Sequence, residues 1–138
     1  RADAELRRRH AGTRLLVAED NLINREVARA LLRAVDLEVD FAEDGHAAVE
    51  MARRRDHALV LMDMHMPGLD GLQATRVLRE EPALRTLPIL AMTANAFDED
   101  RAACLAAGMD DFVSKPVEPQ ALYATLLKWL DHGAAASR

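Results

Sequence analysis

The sequence predicts an α/β domain in which a parallel sheet of five strands is covered by helices on both faces. A short apolar run, a polar turn and a longer stretch with helical spacing follow one another repeatedly between residues 14 and 131. Most of the short runs are almost entirely apolar, as strands covered on both faces are. Strands that alternate with helices form parallel sheets with right-handed crossovers.

The predicted strands differ in how much water they should meet. They lie at residues 14–18, 38–42, 58–62, 88–92 and 111–113. The first, third and fourth are nearly all apolar, so we expect both of their faces to be covered. In the second, Val39 and Phe41 alternate with Glu38 and Asp40. This alternation is typical of an edge strand with one wetter face.

The longer stretches have the spacing of amphipathic helices. The apolar stripe of the first consists of Ile23, Val27, Leu31 and Ala34. The stripe of the last consists of Leu122, Leu126, Trp129 and Leu130. The last stripe has three open interpretations, which are the domain core, a homodimer and an interface with a kinase. Asp44, Asp70 and Asp98 precede helical stretches and are predicted to cap them, and Pro119 suits a first helical turn.

Both ends of the chain lie outside the repeating pattern. Residues 1–13 are charged and lack a clear apolar face, so we expect a linker or the end of a preceding helix. Residues 132–138 are rich in small side chains and are predicted to form a C-terminal tail. The chain does not begin with Met, which suggests a piece of a longer protein.

The composition argues against several classes of protein. The net charge of −5 is spread along the chain, which argues against a nucleic-acid binder. Two arginine runs, at residues 7–9 and 53–55, are interpreted as solvated surface. No apolar run approaches the roughly 20 residues of a membrane span, so no direct membrane contact is predicted. The single cysteine, Cys104, is predicted to be a small packed hydrophobe in a reducing cytoplasm.

Polar residues that could bind a ligand or react follow four of the predicted strands. Glu19 and Asp20 come directly after the first, Asp63 after the third and Thr93 after the fourth, while Lys115 lies just beyond the fifth. Ligands of open α/β sheets bind beyond the carboxyl ends of the strands. We therefore expect these five side chains to meet on one rim of the sheet.

Three carboxylates on one rim would repel each other unless a cation lies between them. Mg²⁺ prefers oxygen ligands and usually takes one or two carboxylates together with a phosphate oxygen. Lys115 and Thr93 could hold phosphoryl oxygens, and Asp63 could be the nucleophile that forms an aspartyl phosphate. Taken singly, Asp20 could be a helix cap and Lys115 a surface lysine. Their joint occurrence on one rim favours the functional interpretation.

Five segments of the chain carry a resemblance to a known family. They are LLVAEDNLINREVARALL, FAEDGHAAVE, LVLMDMHMPGLDG, PILAMTANAF and GMDDFVSKPV. Together they resemble the receiver domain of two-component response regulators over roughly residues 12–131. The resemblance implies a flavodoxin-like, doubly wound (βα)5 fold with a five-stranded sheet in the order 2-1-3-4-5.

The resemblance also implies a role for each residue of the metal site. Asp63 would accept the phosphoryl group from a phosphohistidine on a histidine kinase or a histidine phosphotransfer domain. Glu19 and Asp20 would position Mg²⁺, Asp20 directly and Glu19 mainly through water. The backbone carbonyl of His65 would complete the protein ligands of the metal.

Further roles are implied for residues around the phosphoryl group. Lys115 would contact that group, and the peptide bond to Pro116 is expected to be cis. Thr93 and Phe112 would form a switch that changes the surface made by the fourth helix of the repeat, the last strand and the last helix. Side chains at His65 and Asn95 would tune the lifetime of the phosphoryl group.

The segments look most like receivers fused to hybrid sensor histidine kinases. This implies a cytoplasmic domain, tethered to a membrane-bound sensor, in a phosphorelay. Two other functions stay open: a phosphorylation-independent interaction module with a receiver fold, and a phosphatase of the haloacid-dehalogenase type. Such phosphatases carry an acid-base Asp where this chain has His65. A transition-metal pair of Asp63 and His65 is a further alternative.

Overall fold

A computed structural model describes residues 1–94 and 98–136 of the chain and contains a five-stranded parallel sheet. Its strands are β1 (Arg14–Ala18), β2 (Glu38–Ala42), β3 (Leu59–Asp63), β4 (Ile89–Thr93) and β5 (Asp111–Ser114). They lie in the order β2-β1-β3-β4-β5 and all neighbouring pairs are parallel. The predicted fold class and strand order are therefore confirmed, and β2 is an edge strand as its alternating pattern indicated.

Helices pack around the sheet, and two of them begin at caps that the sequence predicted. They are α1 (Ala2–His10), α2 (Leu22–Arg33), α3 (Gly45–Arg53), α4 (Gly71–Arg79), α5 (Asp98–Ala107) and α6 (Pro119–Ala136), with a 3-10 turn at Pro82–Leu84. The Asp44 carboxylate accepts from the Ala47 N–H at 2.8 Å and caps α3. Asp70 and Gln73 form a reciprocal capping box at α4. These two predicted caps are confirmed, whereas Asp98 is the first residue of α5 rather than the residue before it.

The apolar core has one layer on each face of the sheet. Alternate residues of the central strands point to opposite faces, so Leu15 and Leu16 belong to different layers. Leu122, Leu126 and Leu130 of α6 are buried in one layer, which identifies them as core residues. The other layer includes Cys104, whose sulfur lies 3.4 Å from the Met64 sulfur. The prediction that Cys104 is a packed hydrophobe is confirmed.

Three strands, β3, β4 and β5, end one residue later than the apolar runs predicted. Asp63 is the last residue of β3 and pairs with Met92, and Thr93 is the last residue of β4 and pairs with Ser114. Both polar residues therefore belong to the hydrogen-bonded ladder. This matters for the site, because the ladder fixes the direction in which each side chain leaves the backbone.

The apolar stripe of α2 is exposed over much of its length. Ile23 is 73% exposed and Val27 is 47% exposed, whereas Leu32, which is not in the predicted stripe, is fully buried. Helical spacing shows that residues share a face, but it does not tell whether that face meets the sheet or the solvent.

The N-terminal segment is a helix of the folded domain. Residues 1–13, predicted to be a linker or the end of a preceding helix, contain α1, whose Leu6 side chain is fully buried in the core layer that includes α6. His10 Nε2 and Arg9 contact the Asp131 carboxylate at 2.7 and 3.0 Å. The last helix continues to Ala136, so most of the predicted tail is helical. None of the helices in the described ranges has the length and hydropathy needed to cross a membrane.

Truncating Leu6 is expected to destabilise the whole domain. A helix as short as α1 is marginal alone in water, so its packing must keep it folded. We expect Leu6→Ala to lower the free energy of unfolding in urea by about 2–5 kcal/mol. The control Leu105→Ala, at a side chain that is 56% exposed on α5, should change it by less than about 0.5 kcal/mol. Equal effects of the two substitutions would show that α1 contributes nothing to the fold.

Candidate active site

The carboxyl edge of the sheet gathers the three acids that the sequence predicted. One oxygen atom from each of Glu19, Asp20 and Asp63 lies within 4.8 Å of the other two. Asp63 ends β3, while Glu19 and Asp20 follow β1, the neighbouring strand. The cluster therefore forms because adjacent parallel strands end at the same edge.

Asp63 is held at the centre of this cluster. Its residue is only 4% exposed, and its Oδ1 atom lies 3.1 Å from Lys115 Nζ and 3.3 Å from the His65 backbone N–H group. A Cβ atom at Gly71 would lie 2.2 Å from the Asp63 carbonyl oxygen. Only glycine therefore lets α4 begin directly against the end of β3, next to the site.

Glu19 is buried and uses both oxygens of its carboxylate. Oε1 lies 2.6 Å from Lys115 Nζ, and Oε2 accepts from the Asn21 backbone N–H at 3.2 Å. The Glu19 backbone N–H donates to the carbonyl oxygen of Ala42 at 2.9 Å. The edge strand β2 thus anchors the backbone from which both members of the acidic pair project.

Asp20 is exposed at the rim and is not the cap of the helix that follows it. That role belongs to Asn21, whose side chain accepts from the Asn24 N–H at 3.0 Å. The interpretation of Asp20 as a cap is therefore wrong for α2. Its carboxylate faces the cluster of acids, where solvent can also reach it.

Lys115 provides the positive charge between two of the acids. Burial acts to lower its pKa, but hydrogen bonds and charge attraction from Glu19 and Asp63 outweigh burial and raise the pKa above its usual value. The ammonium group is therefore charged at neutral pH. The Lys115 backbone N–H donates to the Thr93 carbonyl at 2.9 Å, and the bond to Pro116 is cis, as predicted.

The two predicted switch residues lie on neighbouring strands. Thr93 is 4% exposed at the end of β4, and Phe112 is half-buried on β5. The guanidinium carbon of Arg101, on α5, lies 4.8 Å from the centre of the Phe112 ring. Asn95, predicted to tune the phosphoryl lifetime, lies outside the described residues.

His65 lies beside the acids without joining them. Its residue is exposed, and its imidazole is not part of the Glu19–Asp20–Asp63 group. Within residues 1–94 and 98–136, no group of three potential ligands includes this histidine, so a metal site built on its imidazole has no support there. The role of its backbone carbonyl as a metal ligand stays a prediction.

Sequence reasoning missed two features next to the site. Leu22, Ile23 and Val27 form an exposed apolar surface on α2, which we call the α2 patch. Arg25 reaches back from α2 to the Glu19 carbonyl. The high exposure of an apolar stripe cannot be read from spacing, and a single arginine in a helix gives no signal of a contact with a strand end.

The donor set of the cluster fits Mg²⁺. All three side-chain ligands are carboxylates, and Mg²⁺ is a hard cation that takes oxygen ligands and keeps several waters. Exposed Asp20 leaves room for water on one side. Next to the metal ligands, the Asp63 carboxylate offers an oxygen that could act as a nucleophile, and the charged ammonium of Lys115 offers donors for anionic oxygens. These are the groups that phosphoryl transfer requires.

Comparison with known proteins identifies the family. The model of the response regulator receiver domain matches residues 15–127. The sensor protein GacS of Pseudomonas syringae pv. syringae is 40% identical over 119 residues, which cover 84% of this chain and 13% of that protein. The chain thus spans about an eighth of the length of this relative.

Two solved structures show the same fold in different settings. The receiver domain of sensor histidine kinase PA1611 from Pseudomonas aeruginosa PAO1, solved with a magnesium ion in its active site cleft, is 41% identical with a TM-score of 0.82; the match covers 88% of this chain and 99% of that one. The Saccharomyces cerevisiae receiver domain of Ssk1, solved with the histidine phosphotransfer protein Ypd1, is 26% identical with a TM-score of 0.80. That match covers 86% of this chain and 89% of the Ssk1 chain. Sheet order, acidic cluster and family match together show that the chain belongs to the response regulator receiver domains.

Proposed function

We propose that this domain accepts a phosphoryl group on Asp63 from a phosphohistidine, in a reaction that needs Mg²⁺, and passes the signal on through a change of surface. The observation that carries the proposal is the contact of Lys115 Nζ with both Asp63 and Glu19, at 3.1 and 2.6 Å, inside a cluster of three carboxylates. An interaction module without phosphoryl chemistry would need none of these groups, and repulsion among them would only destabilise it.

The metal would be held by the carboxylates of Asp20 and Asp63, by Glu19 through water, and by the backbone carbonyl of His65. When bound, Mg²⁺ supplies positive charge that stabilises the oxygens of the transferring phosphoryl group. Asp63 then provides the attacking oxygen. The bond between this oxygen and phosphorus forms while the bond between phosphorus and the donor imidazole breaks.

Lys115 and Thr93 complete the binding of the phosphoryl group. The raised pKa of Lys115 keeps its ammonium protonated, so it can donate to the phosphoryl oxygens while the aspartyl phosphate persists. The Thr93 side chain lies at the adjacent strand end and would donate its hydroxyl to the same group. Attack by water later releases inorganic phosphate and restores the carboxylate of Asp63.

Phosphorylation of Asp63 is tested with acetyl phosphate and intact-mass spectrometry. We expect a single phosphoryl adduct on the wild type in MgCl2 and none in EDTA, because the charge of the cluster must be neutralised. Asp63→Asn should show no adduct. The control Asp56→Asn, at an exposed acid away from the cluster, should behave as the wild type. A folded wild type that stays unmodified, while another receiver in the same buffer is phosphorylated, would favour the interaction-module function.

The α2 patch supports a protein as the phosphoryl donor. Leu22 is 63% exposed and Ile23 is 73% exposed, at the end of α2 that starts next to the acids. Exposed apolar surface beside an active site marks a contact with a partner. A histidine kinase or a histidine phosphotransfer domain that docks here would bring its phosphohistidine to Asp63, and the Ypd1–Ssk1 complex supports this class of partner.

A charge placed in the α2 patch should separate docking from chemistry. We expect Ile23→Asp to slow phosphoryl transfer from a purified histidine phosphotransfer domain by about tenfold or more, the effect of losing an interface anchor. Its phosphorylation by acetyl phosphate should be unchanged. The control Leu105→Asp, at an exposed side chain of α5, should leave both rates at the wild-type level. Equal transfer to both variants would place the docking surface elsewhere.

The signal would leave the domain through α5, β5 and α6. Phe112 of β5 lies on the strand next to β4, which ends in Thr93. When Thr93 moves toward the phosphoryl group, it would vacate space into which the Phe112 ring can turn. The two positions form a two-state equilibrium that the new charge on Asp63 biases. Because phenylalanine has no hydroxyl, the Phe112 ring would become more buried in its new position without gaining a hydrogen bond.

Removing the hydroxyl of Thr93 should uncouple phosphorylation from the surface change. We expect Thr93→Ala to be phosphorylated by acetyl phosphate in MgCl2. Its amide chemical-shift changes on α5, β5 and α6 should be clearly smaller than those of the wild type, since the hydroxyl no longer follows the phosphoryl group. Thr86→Ala, at an exposed residue that precedes β4, is the control. Shift changes of wild-type size in Thr93→Ala would contradict the switch.

The parent protein would be a hybrid sensor histidine kinase. The match to GacS, of which this chain spans only 13%, supports a receiver within a much longer chain. The domain would then work on the cytoplasmic side, tethered to a sensor that crosses the membrane, and would take part in a phosphorelay with a separate phosphotransfer partner.

A further inference from the structure

We propose that Arg25 is a positioning residue for the metal site, an inference that rests on the proposed function. Arg25 lies one turn inside α2, and only 13% of its side chain is exposed. One guanidinium nitrogen donates to the backbone carbonyl of Glu19 at 2.9 Å, and the other lies 3.3 Å from the Glu43 carboxylate. The side chain therefore ties the start of α2 to the ends of β1 and β2.

The contact is made at the peptide that joins the two acids. The Glu19 carbonyl belongs to the planar peptide bond that leads into Asp20, so fixing its oxygen fixes the plane from which Asp20 departs. On the other side, the Glu19 N–H donates to Ala42 at 2.9 Å. Arg25 thus adds a side-chain anchor to the backbone anchor that Ala42 provides for the acidic pair.

This anchor gains importance when the site is occupied. In the described structure, Lys115 also holds Glu19 through its carboxylate, at 2.6 Å. The proposed function requires Lys115 to turn its donors to the phosphoryl oxygens. Glu19 would then lose that contact, whereas the contact between Arg25 and the backbone carbonyl involves no group that takes part in the reaction.

The chemistry of the guanidinium suits this double contact. Its planar fork presents several N–H donors and can serve a carbonyl and a carboxylate at the same time, which the point charge of a lysine ammonium does not do as well. The Glu43 side chain is 76% exposed, so its ion pair with Arg25 is weak and mainly orients the fork. The carbonyl contact is therefore the one we expect to affect Mg²⁺ binding.

The test compares Mg²⁺ affinities of two variants that lose the same charge from the same helix. Amide NMR titration with MgCl2 should give a Kd for Arg25→Gln about tenfold weaker than wild type, the scale of losing an outer support of a metal ligand. The control is Arg29→Gln, one turn further along α2, where the guanidinium lies 4.7 Å from the centre of the Phe41 ring. This control should bind Mg²⁺ as the wild type does.

A second readout separates positioning from damage to the fold. The rate of phosphorylation by acetyl phosphate is measured as a function of Mg²⁺ concentration. For Arg25→Gln we expect the half-saturating Mg²⁺ concentration to rise about tenfold, while the rate at saturating Mg²⁺ stays at the wild-type level. A lower rate at saturation with an unchanged half-saturating concentration would overturn the positioning role, because it would indicate general damage.

The outcomes distinguish this inference from the proposed function. A wild type that neither binds Mg²⁺ nor accepts a phosphoryl group would overturn both. A functional wild type with equal Kd values for Arg25→Gln and Arg29→Gln would overturn the role of Arg25 alone. If Arg25→Gln does not fold, Arg25→Lys is measured instead. A Mg²⁺ affinity weaker than that of the wild type supports the contact made by the guanidinium fork. A Mg²⁺ affinity equal to that of the wild type overturns it.

Discussion

The repulsion among three carboxylates at one edge of the sheet is the constraint on which the rest of the site depends. Like charges 4 Å apart cost about 4 kcal/mol per pair near a protein surface, more than a typical exposed ion pair returns. The cluster of Glu19, Asp20 and Asp63 therefore favours a cation beside it. Lys115 is that cation in the described structure, and the same attraction to Glu19 and Asp63 raises the pKa of its ammonium group.

A rigid sheet makes this costly arrangement possible. Asp63 and Thr93 belong to the ladders of β3 and β4, and the backbone of Glu19 is held by hydrogen bonds to the edge strand and to Arg25. Because the backbone is fixed, the carboxylates can separate only through rotation of their side chains. Part of the repulsion among the carboxylates therefore remains in the folded domain. Binding of a cation, or of a phosphoryl group with its metal, relieves this repulsion and is therefore favourable. Phosphoryl transfer uses this electrostatic preference for positive charge.

The surface around the site departs from the rule that the apolar face of a helix is buried. The α2 patch leaves Leu22, Ile23 and Val27 in solvent, where apolar side chains gain nothing for the fold. Departures from the rule that apolar faces are buried are expected at functional surfaces. Here the departure lies at the start of the helix that follows the acidic pair, so under the proposed function a partner would dock on the surface from which Asp63 is reached.

Much of this protein could be read from its sequence, because local patterns have direct physical causes. Apolar runs and helical spacing predicted the strands, the helices and the edge strand, and carboxylates before helices predicted the caps of α3 and α4. The rule that parallel strands end at one edge brought Glu19, Asp20, Asp63, Thr93 and Lys115 together before any distance was known.

The tertiary structure alone decided what depends on contacts between distant segments. It placed α1 against the core through Leu6, although residues 1–13 show no clear apolar face. It also left the stripe of α2 exposed and brought Arg25 to the Glu19 carbonyl. Sequence spacing defines which residues share a face, but what that face meets is set by how whole elements pack, and only the folded chain contains that information.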